Sequence, residues 1–216
     1  MVTIMSLFDR PLYIEDVKVL PGAQHDLHGS APDTHDTCLL LIDVINDFEF
    51  PRGEQLFAHA RRIGSKIAAL KKRARAAQIP CVYVNDNFGQ WRSDFKAIVK
   101  WCGRAGARGR SFVDLLRPDK DDYFILKPKH SAFYQTPLEL LLKHFRTERL
   151  ILTGVSSNSC ILCTANDAYM RDLELVIPDD CIAACSNDEH CYALNHMRDM
   201  LKAEIAPSKK IALARH

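Results

Sequence analysis

The sequence predicts an α/β protein of three layers, helix over sheet over helix, with a mostly parallel sheet. Three observations carry this. Short continuous apolar runs recur from residue 38 onward, as strands buried on both faces require. Stretches with apolar residues at helical spacing separate those runs. Helix-start signals stand between the later ones. Strands alternating with helices imply crossovers, and crossovers imply parallel pairing.

Residues 1–37 form a mixed lead-in with Pro11, Pro21 and Pro32, read as an N-terminal arm with one short strand near 13–19. The regular pattern begins with residues 38–44 (CLLLIDV), the first strand. Residues 54–78 place Leu56, Phe57, Ala60, Ile63, Ile67 and Leu70 on one helical face. Residues 80–85 (PCVYVN) are a second strand, 93–102 a helix, 103–109 (GRAGARG) a flexible basic loop, and 123–127 (YFILK) a third strand. In residues 136–139 (TPLE), Thr136 is placed to cap, Pro137 suits the first helical position and Glu139 can close a capping box. A fourth strand (149–155), a helix (158–171) and a fifth strand (174–178) follow. Ser186 and Glu189 form a second capping box that opens a helix to about residue 202, and 203–213 holds a last strand. The expected domain is therefore 38–216.

Composition narrows the function classes. The chain has 216 residues, 47% hydrophobic and 26% charged, which is ordinary globular usage. Its 29 basic and 27 acidic residues give a net charge of +2, so no nucleic-acid partner is expected. No apolar run approaches the ~20 residues of a membrane span. No secretory signal is visible, so the eight cysteines are read as reduced thiols of a cytoplasmic protein.

In parallel sheets, functional groups gather at the carboxyl ends of the strands. Asp43 ends the first apolar run, where a carboxylate needs a partner. Lys127 ends the third, just before Pro128. Cys160 follows the fourth in ILTGVSSNSCILCTANDAY, where Gly154 permits a sharp turn and places Cys160 in the first turn of a helix. A helix N-terminus favours a thiolate, so a lowered thiol pKa is expected. Nearby backbone N–H groups can hold an oxyanion. Together these are a nucleophile, a carboxylate and an ammonium. Phe48, Trp91 and Phe133 follow the first three strands and are candidate walls for a small planar substrate; Asn85, Asp86 and Asn87 are candidate polar contacts. Taken singly, each has an ordinary alternative: a cap, a snorkelling lysine, a small buried thiol, core aromatics.

The blocks LLLIDVINDF, LKPKHSAF and GVSSNSCILCTANDAYMRD, in this order, resemble the isochorismatase-like cysteine hydrolases, which include nicotinamidases, N-carbamoylsarcosine amidohydrolases and ureidoacrylate amidohydrolases. The resemblance covers residues 38–205. It implies a Rossmann-like isochorismatase-type fold with Asp43, Lys127 and Cys160 catalytic. It implies a cis peptide between Val155 and Ser156, with Ser156 and Cys160 amides as the oxyanion hole and Val155 beside the substrate. By the same resemblance, Asp43 takes the thiol proton, Lys127 stabilises charge, and Asp43 serves again as base when water cleaves a thioester. The chain departs from the pattern at Asn46, where Gln is usual, and at Phe88, where nicotinamidases carry a metal-binding His after an Asp matched by Asp86. No metal or other cofactor is expected. Retention of Cys160 favours C–N hydrolysis of a small amide or urea-like substrate by a homo-oligomer, dimer or tetramer. A vinyl-ether hydrolase of the isochorismatase type is the nearest alternative.

Three other readings compete. Cys160 and Cys163 form a C-x-x-C suited to thiol redox exchange. Cys160, Cys163, Cys181, Cys185, His190 and Cys191 offer ligands for structural zinc. The helix at 54–78 carries Arg61, Arg62, Lys66, Lys71, Lys72, Arg73 and Arg75, which would suit an anionic partner.

Overall fold

The computed structural model describes residues 34–92 and 94–213; the expected arm and its strand at 13–19 lie outside them. Among the described residues the strands are β1 (Thr37–Ile42), β2 (Cys81–Asp86), β3 (Tyr123–Lys127), β4 (Arg149–Val155), β5 (Glu174–Pro178), β6 (Ile182–Ala183) and β7 (Glu204–Ala206). The helices are α1 (Gly53–Ala76), α2 (Phe95–Cys102), α3 (Arg110–Leu115), α4 (Leu138–Phe145), α5 (Leu162–Tyr169) and α6 (Asn187–Asp199). The strands form one parallel sheet in the order β3-β2-β1-β4-β5-β7, with β6 beside β4.

β1 and β4 are buried at every residue, which is why they read as unbroken apolar runs. Leu39 and Leu41 of β1 pack in one cluster with α1, α2 and α3. The alternate residues Leu40 and Ile42 are equally buried but lie outside that cluster, as do Leu142 and Phe145 of α4 and Ala165 and Ala168 of α5. Alternation along the strand therefore serves two helical layers. From β1 the chain first runs outward to β2 and β3, then returns to place β4 on β1's other side. The switch point lies between β1 and β4, where such sheets open a crevice. Gly154 holds this junction: its φ is +114°, and a side chain there would strike the Ile42 carbonyl.

Several local expectations are corrected. α4 begins after Pro137 with no side-chain cap. Thr136 stands one residue before the cap position: its hydroxyl accepts from the Leu138 amide at 3.3 Å and donates to the Ala132 carbonyl, while Glu139 pairs with Lys143 and Arg171 instead of closing a box. At α6 half of the second box forms: Ser186 accepts from the Glu189 amide, while the Glu189 side chain pairs with Arg52. The last strand contracts to three residues, Glu204–Ala206. The expected basic loop is anchored: Arg104 pairs with Asp47 and Glu49, Arg108 donates to the Phe48 carbonyl, and the Gly109 amide bonds the Asp47 carbonyl. Arg110 pairs with Asp114 and opens α3, a helix too short to show a period.

The basic face of α1 is largely a set of internal ties. Lys71 is buried and reaches Asp122 at 2.5 Å, Asp119 at 2.9 Å and the Tyr83 hydroxyl at 3.0 Å. Burial alone would lower the Lys71 pKa, but these partners reverse it and hold the ammonium above the usual lysine range. Arg73 donates to the Ser208 and Ile211 carbonyls, and Arg75 joins Asp122 at 3.0 Å. The Asp122 side chain is fully enclosed, so this cluster pins the approach to β3 onto α1. Lys71→Ala leaves that carboxylate with Arg75 as its one cation and the Asp119 amide as a donor. We expect a loss of about 3 kcal/mol in urea unfolding, at the low end for a broken buried pair because one cation remains. A loss below half of that would place the pair among surface bridges.

Candidate active site

The carboxyl ends of four strands converge. Asp43 follows β1 with φ +51°, a left-handed turn that Asp tolerates better than most residues. It is 6% exposed. Its Oδ1 accepts from the Asp86 amide at the end of β2, at 2.7 Å. Its Oδ2 lies 2.9 Å from Lys127 Nζ. Lys127 stands on the outer strand, in register with Asp86. Its four-carbon stem crosses over β2 to reach Asp43, and the residue is fully enclosed. Nζ also donates to the Lys129 carbonyl at 3.2 Å, approaches Cys160 Sγ at 3.5 Å and faces Asp86 Oδ2 at 3.8 Å.

Cys160 enters from β4. The Val155–Ser156 peptide bond is cis. Ser156 remains extended, and a π-helical turn, Ser157–Ile161, carries the cysteine before α5 begins. The Ile161 amide bonds back to the Ser156 carbonyl at 3.1 Å. The expected helix from residue 158 is thus split, and the widened turn belongs to the site, as such turns often do.

Electrostatics differ from expectation at the thiol. Burial first, then the Asp43 charge, push Cys160 up to about 12, and a hydrogen bond to Asp43 acts the same way; Lys127 opposes and loses. The helix start was expected to lower it, but desolvation and a neighbouring carboxylate outweigh that. Lys127 is also shifted. Burial would lower it, yet Asp43, Cys160 and Asp86 together raise it above the ordinary range. Burial and the Asp43 carboxylate therefore favour the neutral form of the Cys160 thiol, against the pull of Lys127.

The other candidate residues separate clearly. Trp91 is 79% exposed and, with Asp86, Asn87, Lys129 and Tyr134, lines a groove of about 740 Å³ that meets the charged cluster at Asp86. Phe48 is not a wall: it is fully buried against Phe57 and Phe112. Phe133 is buried beneath the Arg171 guanidinium. The Asn85 side chain is spent on the Ile45 amide and carbonyl. The Val155 side chain packs in the core cluster. Asn85 and Val155 lie on strand faces turned into the fold, whereas Phe48 and Phe133 lie beyond the ends of β1 and β3 in loops that bury them. Cys163 is raised as well, by burial and then Asp167, whereas a disulfide-exchanging thiol is ordinarily depressed. All eight cysteines are free. Among the described residues no group of three His, Cys, Asp or Glu side chains is placed to hold a metal. Phe88 offers no ligand where the nicotinamidase pattern has one, and Asp86 Oδ1 is engaged by the Phe88 amide. The residues present do not fit that metal.

Sequence reasoning passed over His130. Its Nδ1 lies 3.2 Å from Ser159 Oγ and 3.7 Å from Cys160 Sγ. The signal was present: a histidine three residues after Lys127, within a block already singled out.

These features define an α/β protein with a thiol, a carboxylate and an ammonium clustered at the switch point. The family model described as the Isochorismatase domain matches residues 37–207, and the chain belongs to the isochorismatase family. It is similar to the Bacillus subtilis protein described as "Uncharacterized isochorismatase family protein YaaI", 42% identical over 176 residues that span 82% of this chain and 96% of that one. Among solved structures it is similar to the nicotinamidase PncA of Bacillus subtilis, 26% identical with a TM-score of 0.63, covering 80% of this chain and all of the other. The N-carbamoylsarcosine amidase of Thermoplasma acidophilum shares the fold, at 24% identity and a TM-score of 0.64, over 82% of this chain and 99% of that one. No helix among the described residues is long and apolar enough to cross a membrane.

The opposed effects of Asp43 and Lys127 on the thiol give a sign test. Asp43→Asn removes a charge that disfavours the thiolate, so the pH midpoint for alkylation of Cys160 by iodoacetamide should fall. Lys127→Met should raise it. Mass-spectrometric mapping across pH reads both, and shifts of the reverse sign would contradict the balance described here.

Proposed function

We propose that the protein is a cysteine-nucleophile hydrolase that cleaves a C–N bond of a small amide or urea-like substrate through a thioester. One observation carries this: Cys160 Sγ, Lys127 Nζ and Asp43 Oδ2 follow one another at 3.5 and 2.9 Å. With the thiol pushed up to about 12, a free thiolate is scarce at neutral pH. The proton therefore passes to Asp43 as Sγ attacks the carbonyl carbon. Lys127 balances the charge and orients Asp43. The amides of Ser156 and Cys160 hold the oxyanion. Asp43 returns the proton to the departing nitrogen, and water then cleaves the thioester. The groove beside Asp86 and Trp91 takes the rest of the substrate. The family resemblance also implies a homo-oligomer, and we infer from the cysteines, read as reduced thiols, that it acts in the cytoplasm, with the hydrolase domain over residues 38–216.

The test is ammonia release from nicotinamide, N-carbamoylsarcosine and a panel of ureides, with the acyl-enzyme trapped by acid quench. We expect the adduct on Cys160 and no turnover in Cys160→Ala. Asp43→Ala and Lys127→Ala should each lose at least about a hundred-fold in kcat, as removal of a positioned acid–base or charge-stabilising group does. Near-normal rates in either variant would sink the assignment.

A further inference from the structure

The π-helical turn that carries Cys160 packs against α6. β6 pairs with the end of β4, Ile182 beside Gly154 and Ala183 beside Val155, so the chain leaving β6 runs next to the start of that turn. Ser186 caps α6 by accepting from the Glu189 amide, and the His190 amide bonds the Ser186 carbonyl at 3.1 Å. The first turn of α6 is thus fixed where it meets Ser157–Ile161.

A polar contact joins the two segments: His190 Nδ1 lies 3.2 Å from Ser157 Oγ. Ser157 is fully buried. Among the described residues its hydroxyl has no other hydrogen-bond partner. A buried hydroxyl needs an acceptor for its proton, and an unprotonated ring nitrogen supplies one. Burial pushes the His190 pKa below the ordinary histidine value; Asp179 opposes this and His59 adds to it. The neutral, accepting ring is therefore the favoured form. The cysteine and histidine pattern offered His190 to zinc, but no described cluster is placed to hold a metal, and the ring is engaged by Ser157 instead.

We propose that His190 is a positioning residue for the nucleophile: by accepting the Ser157 hydroxyl proton it fixes the start of the π-helical turn, and so aligns Cys160 Sγ and the oxyanion-binding amides on one substrate carbonyl. This rests on the cysteine-hydrolase reading above, in which Ser156 and Cys160 supply those amides. Ser157 stands between them. The Ser159 and Ile161 amides both bond the Ser156 carbonyl, each at 3.1 Å, so a shift at Ser157 is passed along the whole turn. Lys127 and Asp43 govern the charge of the thiol; His190 governs where the thiol and its amides stand. A misplacement of about 1 Å is enough to cost ~100-fold in rate.

The experiment compares two reactions of Cys160. Attack on p-nitrophenyl acetate, read as p-nitrophenolate release and acetyl-Cys160 by mass spectrometry, needs sulfur and oxyanion amides together. Alkylation by iodoacetamide occurs at a saturated carbon and needs sulfur alone. We expect His190→Ala and Ser157→Ala each to lower kcat for the ester at least about ten-fold, with KM within about two-fold and alkylation within about three-fold of wild type. The double variant should be no slower than the slower single one, because both substitutions remove the same contact. His190→Asn places a non-titrating acceptor near the site of Nδ1 and should recover kcat to within about three-fold of wild type. Unchanged kcat in His190→Ala, effects that multiply in the double variant, alkylation falling in step with kcat, or no recovery in His190→Asn would each overturn the proposal while leaving the cysteine-hydrolase reading intact. If His190→Ala does not fold, Ser157→Ala decides, and unchanged kcat there overturns it. Absence of wild-type acetylation at Cys160 would overturn the cysteine-hydrolase reading, and this inference with it.

Discussion

The ion pair between Lys127 and Asp43 is the constraint on which the rest of the site depends. Neither charge tolerates its enclosure alone, since a lone buried ion costs far more than a paired one. Asp43 must leave β1 through a left-handed turn, and Lys127 must lie flat across β2. Gly154 must lack a side chain so that β4 can close against Ile42 and bring Cys160 to the pair. The pair also sets the thiol's character. Its carboxylate opposes ionisation of Cys160 and its ammonium favours it, and burial decides for the neutral thiol.

Much of this was legible in the chain. Arg149–Val155, Glu174–Pro178 and Tyr123–Lys127 are apolar runs with charged or Pro boundaries, and the strands fall on those residues. Alternation with helical spacing led to the parallel sheet, and the sheet to its carboxyl ends. Asp43, Lys127 and Cys160 were visible as polar or reactive groups where an apolar run stops. The family match spans residues 37–207, which contain all three blocks.

What escaped has physical causes. α3 spans six residues and β6 two, below any period. The π-helical turn comes from a single shift in backbone pairing, which side-chain patterning does not encode. Phe48 and Phe133 follow strand ends just as Trp91 does; only the course of each loop and the elements that cover it decide which ring faces solvent. The direction of the thiol shift depends on a contest between burial and two opposite charges at fixed distances. Residue order names the contestants without weighing them. The basic stripe of α1 read as suited to an anionic partner because its actual partners, Asp119, Asp122 and two carbonyls near the C-terminus, lie more than forty positions away.

Among the described residues β3 is an edge strand, paired with β2 alone. The cation that neutralises Asp43 therefore rides on the margin of the sheet, where opening is cheapest. What steadies that margin is Lys71 with Asp122, at the other end of the strand from the chemistry. Loosening there lets Lys127 drift without melting the core beneath β1 and β4. Heat inactivation would then run ahead of global unfolding, and a substitution far from Cys160 would register in assays as a defect of catalysis rather than of folding.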